Sequence, residues 1–436
     1  MILAHGLGGR ADLPLPTWMV LYGGGAILLI SFAALRLLWP KSRWEDQEPG
    51  RVLADVTDPV ARILTAVARS LGFAAFGLVL ATAAVGENNP NVNLAPTVVY
   101  VTFWVGLTFV SFFVGDLWQA LNPLDTLARV GEATRNPETP RRHPPDLGYW
   151  PAAAGLLGFV WLELVYPDRA QPAVLAIAIV VYSLVVVTAA CLWGRDWLRR
   201  GEAFTVLFGL LARAAPLGRS GDGKLRLRPP FGGLATLEPV RGLDAVVLVV
   251  LGSTTFDGLT RTQWWSDLSN RTAGLANTLL GTVGLLWAIG VVVVIYFGAM
   301  RVTARLTAAD DEPRELSLAF AHSLVPIAFG YSMAHYFSLL VFEGQAVISL
   351  ISDPFGFGWD LFGTAEQDID FNLIGPETIS WIQAGSIVVG HIVAVVVSHD
   401  RALARFAPNE VAKAQFPLLV AMVIFTVGGL FLLLGG

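Results

Sequence analysis

Six histidines occur in the 436-residue chain, and four of them lie in long apolar stretches. An ionisable side chain is costly there and therefore informative. His322 and His335 fall in one stretch, His391 and His399 in the next. Paired histidines on neighbouring antiparallel helices are the pattern of haem or metal ligation. At 1.5 Å rise per residue, His322 lies roughly 9 Å and His391 roughly 12 Å from the inner boundary, level enough to flank a haem b or a metal. A rotation of about 100° per residue sets His322 and His335 about 220° apart, so these two do not serve one ligand. His399, followed by Asp400 and Arg401, reads as a solvated helix end.

A second set gathers toward the outer half of the same stretches. His335 has Tyr331 one turn below it on the same face, and Glu343 and Gln345 follow where the stretch ends. Asp257 closes the string Gly252-Ser-Thr-Thr-Phe-Asp257, Glu163 ends another apolar run, and His5 and Asp12 precede the first. Histidine and carboxylate together suit zinc, iron or manganese, with His5, Asp12, His335 and Asp257 as candidate ligands. The same groups suit a carboxylate–histidine general base acting on water, with His335, Asp257 and Tyr331 as candidate catalytic residues. The bland reading of both sets is hydrogen-bonded core histidines and polar helix anchors. Asp116, near Asn122-Pro123, reads as a helix-end cap or structural ion partner. No P-loop, G-x-G-x-x-G, G-x-S-x-G or H-E-x-x-H occurs, which leaves no sign of nucleotide chemistry.

The elements that must position these residues are membrane spans. Hydrophobic residues make up 54% and charged residues 14% of the chain, against about a quarter charged in soluble domains. Cys191 is the single cysteine, which excludes a disulfide framework and any cysteine-based zinc site. About ten stretches reach spanning length: 17–39, 63–85, 97–118, 149–166, 172–194, 243–257, 277–300, 316–342, 379–399 and 415–434. Lipid admits helices or closed barrels, and these runs are too long and apolar for barrel strands. The fold expected is therefore an all-α polytopic bundle forming a single transmembrane domain over 1–436. Residues 1–16 form a short outer segment, 195–242 an inner loop, and 343–378 a long outer loop rich in Gly, Phe, Asp and Glu. Within the inner loop, 202–215 reads as an amphipathic helix lying on the leaflet.

Arginines alternate between the loops. They fill the segments around 36–62, 129–142, 195–228, 301–305 and 401–405 and are scarce in those between. The positive-inside rule then places the odd loops in the cytoplasm and both termini outside, in a bacterial plasma membrane. No cleavable signal peptide is evident at the start. The expected partners are the bilayer, a lipophilic small molecule and other subunits of a membrane complex; nucleic acid is not expected.

Several strings act together as a resemblance. They are Ala4-His-Gly-Leu-Gly-Gly-Arg-Ala-Asp12, Asn93-Leu-Ala-Pro-Thr97 with Phe103-Trp104-Val105-Gly106, Gly115-Asp116 with Asn122-Pro123, Thr255-Phe-Asp257-Gly258, Gly330-Tyr331 through Ala334-His335-Tyr336, and Gly390-His391 through His399-Asp400-Arg401. Over residues 4 to 405 the chain resembles the bacterial, chiefly actinobacterial, integral membrane proteins named fenitrothion hydrolase. The resemblance implies hydrolysis of a lipophilic phosphotriester at the membrane, and it assigns no residue. The competing expectations are a small-solute transporter and a haem- or metal-binding subunit of a membrane complex.

Overall fold

The computed structural model describes residues 16–44, 50–55, 58–133, 147–219, 224–307 and 312–434. Its helices are α1 (Thr17–Leu38), α2 (Pro59–Val85), α3 (Leu94–Phe113), α4 (Pro123–Ala133), α5 (Trp150–Leu164), α6 (Pro172–Trp193), α7 (Ala203–Leu211) and α8 (Leu243–Thr260). They continue with α9 (Gln263–Ser269), α10 (Leu275–Leu306), α11 (Pro313–Phe320), α12 (Val325–Phe342), α13 (Pro376–Arg405) and α14 (Val411–Leu434). Three short strands, β1 (Arg51–Asp55), β2 (Leu217–Arg219) and β3 (Lys224–Leu227), form an antiparallel sheet in the order β1-β3-β2. The protein is an all-α helical bundle. Among the described residues nine helical segments are long and apolar enough to cross a membrane, with α11 and α12 counted as one. The 15-residue α5 is a shorter apolar helix beside them. This is the architecture of a multi-pass membrane protein.

Burial divides the helices by role. Over α2 only Thr82 and Ala83 are buried, so nearly its whole surface is free to meet lipid. The segments α8 and α12 are buried along most of their length and form the centre of the bundle. The small sheet and the loops carrying Arg43, Arg129, Arg195, Arg228 and Arg401 knit together at one end, here the arginine-rich face. At the other end Phe355 stacks on Phe357, and Trp359 meets both rings edge-on. The backbone there is tied to the α2–α3 turn, where Glu87 and Leu94 donate to Phe355 and Pro354 carbonyls.

Two helices depart from the continuous spans that hydropathy predicts, and a third segment departs from its expected place on the leaflet. The stretch 97–118 is helical only to Phe113, and Val98–Gly106 is wound as a π-helix. The stretch 316–342 is broken by a 3-10 turn at Ala321–Leu324, just before Pro326. Proline has no N–H to donate to the preceding turn and clashes with it, which accounts for the break. The segment 202–215 does not lie on the leaflet. Seven of the nine residues of α7 are buried, and the helix packs against α5, α3 and α12. Its sequence, Ala-Phe-Thr-Val-Leu-Phe-Gly-Leu-Leu, has no polar face to offer to headgroups, so it re-enters the bundle.

Polar side chains make these breaks tolerable. Glu202 is fully buried and caps α7, accepting from the Phe204 and Thr205 amides at 3.0 and 2.7 Å and from the Tyr182 hydroxyl. Asn122 caps α4 through the Leu124 amide and donates to Thr205 Oγ1, both within 3.0 Å. Asp116 accepts from the Gln119 amide at 3.0 Å, a helix-end cap. His399 is not a solvated helix end: it is buried, with Nδ1 2.9 Å from Gln415 Oε1 and Nε2 3.1 Å from the Trp39 carbonyl. Sequence context alone puts it at water, but the segment after α1 folds over it. Asp400 holds that segment by accepting from Trp39 Nε1, Ser42 Oγ and the Arg43 and Trp44 amides at 2.7–3.2 Å.

Two stability predictions follow from these contacts. Asp400→Ala strands four donors at once, and a loss of about 3–5 kcal/mol is expected, read as a lower melting temperature in detergent. Asp125 bonds Arg195 and Arg129 at the arginine-rich face. Burial pushes its carboxyl up, but the Arg195 and Arg129 hydrogen bonds outweigh this and hold it below its ordinary value. A depressed carboxylate contributes stability above its unfolded pKa of about 4 and loses it as pH falls through the folded value. Asp125→Asn is therefore expected to flatten the acid limb of a melting-temperature profile and to leave the neutral region lower.

Candidate functional site

Four helices converge on one buried polar cluster. Asp257 comes from α8, His335 and Tyr336 from α12, Glu163 from the end of α5, and Trp104 from the π-helical part of α3. Asp257, His335 and Glu163 are 3%, 2% and 1% exposed. His335 Nδ1 lies 3.3 Å from Asp257 Oδ2. Arg261, one turn after Asp257, donates to the same oxygen from Nη2 at 3.0 Å. Gly258 makes room for the imidazole: a Cβ there would stand 3.1 Å from His335 Cε1. Asp257 thus has Arg261 hydrogen-bonded to one oxygen, a charge-assisted contact, and the His335 ring close to the same oxygen without a hydrogen bond.

Glu163 is different in kind. Neither of its oxygens has a hydrogen-bond partner, and Trp104 Nε1 is likewise buried and unpaired. The Tyr336 hydroxyl and the Trp104 indole face the carboxylate, and the Asp257 charge is near enough to repel it. An unpartnered carboxyl in an apolar interior is costly, and buried polar groups are otherwise nearly always bonded. Such exceptions are frequent at sites that take up protons or ligands.

Two small cavities adjoin this cluster. One of about 20 Å³ lies between Trp104, Thr108, Ser332 and the apolar side chains of α7 and α8. The other, about 10 Å³, shares Trp104, Thr108 and Ser332 with it and reaches Tyr336. Spaces of that size hold a water molecule at most. On the side toward α7 the lining is apolar, with Leu207, Leu211, Val246 and Val250 closing it.

The predicted site residues are brought together only in part. His335 and Asp257 meet, and Glu163, marked in the sequence as a polar helix end, joins them. Tyr331 does not: its hydroxyl donates to the Phe425 carbonyl on α14, and its ring lies 5.9 Å from that of His391. Sharing a helix face with His335 did not decide its direction, because a neighbouring carbonyl on α14 captures the hydroxyl. His5 and Asp12 lie outside the described residues. Glu343 and Gln345 stay at the far end of α12, where Gln345 bonds the Val341 and Asp370 backbone.

The two histidines of the haem expectation have different surroundings. His322 sits on the 3-10 turn beside Arg401, whereas His391 packs against Tyr331. No group of three or more His, Cys, Asp or Glu side chains that could hold a metal is found among the described residues. Trp104 and Tyr336 escaped sequence reasoning because an aromatic residue in an apolar run gives no sign of its direction. Glu202 left a readable signal, a carboxylate immediately before an apolar run, which is an N-cap pattern.

No protein-family model matches the chain, and neither does any curated protein or solved structure.

Asp257 is expected to carry the electrostatic balance of the cluster. Asp257→Ala leaves Arg261 and His335 without their shared counter-charge, at a cost of about 3–5 kcal/mol. Thermal unfolding in detergent measures this, with Asp257→Asn expected to fall between the alanine variant and the wild type.

Proposed function

We propose that the protein is a bacterial plasma-membrane transporter of a small solute, driven by protonation of the Glu163–Asp257–His335 cluster. The observation that carries this reading is Glu163, a carboxyl buried among membrane helices with no hydrogen-bond partner. Ionisable groups inside a membrane bundle characteristically serve ion or proton pathways. With Asp257 close by, the free energy of Glu163 depends on whether Asp257 remains paired with His335 and Arg261. Any movement of α5, α8 or α12 that alters this pairing changes the proton affinity of Glu163. By linkage, loading the proton biases the helix arrangement by the same free energy. The broken helix α11–α12 and the re-entrant α7 add the discontinuities that transporters use to line a central site. On this reading the arginine-rich face is cytoplasmic and the N-terminus outside, in line with the positive-inside rule.

A second reading rests on the His335–Asp257 contact at 3.3 Å. A histidine held by a carboxylate can act as general base for water attack on a phosphotriester, which is what the fenitrothion hydrolase resemblance implies. Against it, the adjoining cavities hold no more than water, and His335 is 2% exposed.

The two readings separate cleanly in experiment. Proteoliposomes on a solid-supported membrane are given a pH jump, and the displaced charge is recorded for the wild type and Glu163→Gln. The same proteins in detergent are assayed with diethyl 4-nitrophenyl phosphate. The expectation is a transient current that the variant lacks and no hydrolysis above the blank. An undiminished current in Glu163→Gln overturns the transporter reading. Hydrolysis in detergent that is lost in His335→Ala establishes the second.

A further inference from the structure

The polar cluster lies behind an apolar seal on the arginine-rich side. The cavities that lead away from Tyr336 end against Leu207, Leu211, Val246 and Val250, and that apolar wall offers a proton no carrier. A proton crossing from that face therefore needs titratable groups elsewhere.

They are available along the seam between α12 and α13. His391 is fully buried, with Nδ1 2.8 Å from the Ile387 carbonyl. His322 is 1% exposed, and its ring is held by the Ala319 carbonyl. A carbonyl only accepts, so in each ring the bonded nitrogen carries the hydrogen and Nε2 is left as a bare acceptor. Both Nε2 atoms are buried and have no partner. Histidines kept for packing are satisfied at both nitrogens or face water; these two are not.

Their positions form a file. Gly390 approaches the α12 backbone so closely that a Cβ would fall 2.6 Å from the Pro326 carbonyl oxygen and 3.3 Å from Gly330 Cα. His391 thus stands level with the first turns of α12. His322 precedes Pro326 by four residues, about one turn or 6 Å toward the arginine-rich face. On the other side Tyr331 packs on His391, and His335 follows Tyr331 by a further turn of about 6 Å. From the level of His391 to His335 is therefore about two turns, roughly 10 Å, and the gaps are bridged by short chains of waters. The charged group facing His322 is Arg401 from α13, and Tyr331 is the titratable group facing His391. The Tyr331 hydroxyl is engaged with Phe425, so it walls the file and is not a member of it.

We propose that His322 and His391 relay protons between the arginine-rich face and the Asp257–His335–Glu163 cluster. The inference rests on the proton-driven reading of that cluster. Each ring takes a proton on Nε2 from a water and returns it from the same nitrogen to the next, so that only N–H and O–H bonds form and break.

The test uses the full chain in proteoliposomes of one orientation, with the pH jump applied to the arginine-rich face. His322→Gln and His391→Gln are each expected to displace wild-type charge but to do so about tenfold or more slowly. A rate equal to wild type in both variants overturns the relay while leaving the function standing. Loss of the whole current in Glu163→Gln confirms the cluster independently, and its persistence removes the premise. Should either glutamine variant fail to fold, nitrogen NMR of histidine-labelled wild type decides the matter. Bare Nε2 with hydrogen on Nδ1 at both residues supports the relay, and hydrogen on Nε2 at either one overturns it.

Discussion

In the hydrocarbon layer no water is present to receive a backbone N–H or C=O, so every interruption of a helix must be satisfied by the protein itself. This chain interrupts its helices repeatedly and meets the requirement with side chains. Asn122 and Glu202 each supply an acceptor to the first amides of the helix that follows. Pro326 removes a donor where the 3-10 turn would otherwise leave one idle. Because a cap must be polar and close, each break draws polar residues into the bundle. The depth of the polar groups follows from the positions of the breaks.

The two buried glutamates illustrate how the same chemistry serves opposite ends. Glu202 is surrounded by donors: two amides, the Thr205 hydroxyl, the Tyr182 hydroxyl and, at 3.5 Å, the Trp118 indole. Both its oxygens are hydrogen-bonded, and it works as a structural cap. Glu163 faces Trp104 and Tyr336 and closes a hydrogen bond with neither. A cap without its donors stabilises nothing, so the carboxyl at 163 cannot be explained as one. The contrast also separates the histidines. His399 is held at both nitrogens by Gln415 and Trp39, whereas His322 and His391 are each held at one.

Close packing fixes the distances within the cluster. Gly258 lets the His335 ring lie against α8, and Gly330 and Gly390 let α12 and α13 meet backbone to backbone. Larger residues at any of these positions would separate the elements that carry the ionisable groups. The π-helical winding of Val98–Gly106 has a comparable effect. It turns the side chains of α3 relative to an ordinary α-helix, and Trp104 comes to face Glu163.

Length and apolar content alone determine that the chain crosses a membrane as helices, because the bilayer sets both the span and the demand for internal hydrogen bonding. The approximate extents of the spans were legible for the same reason. So was the approach of His335 to Asp257, as two ionisable residues placed toward one end of their spans. Direction within a span was not legible. Tyr331 turns to Phe425, α7 turns inward and His399 is covered, since each outcome depends on a partner more than a dozen residues away in sequence. Hydropathy averages over a helix and is blind to which neighbour a face meets. Tertiary packing therefore decided that Glu163 stands bare beside Asp257 and Glu202 does not.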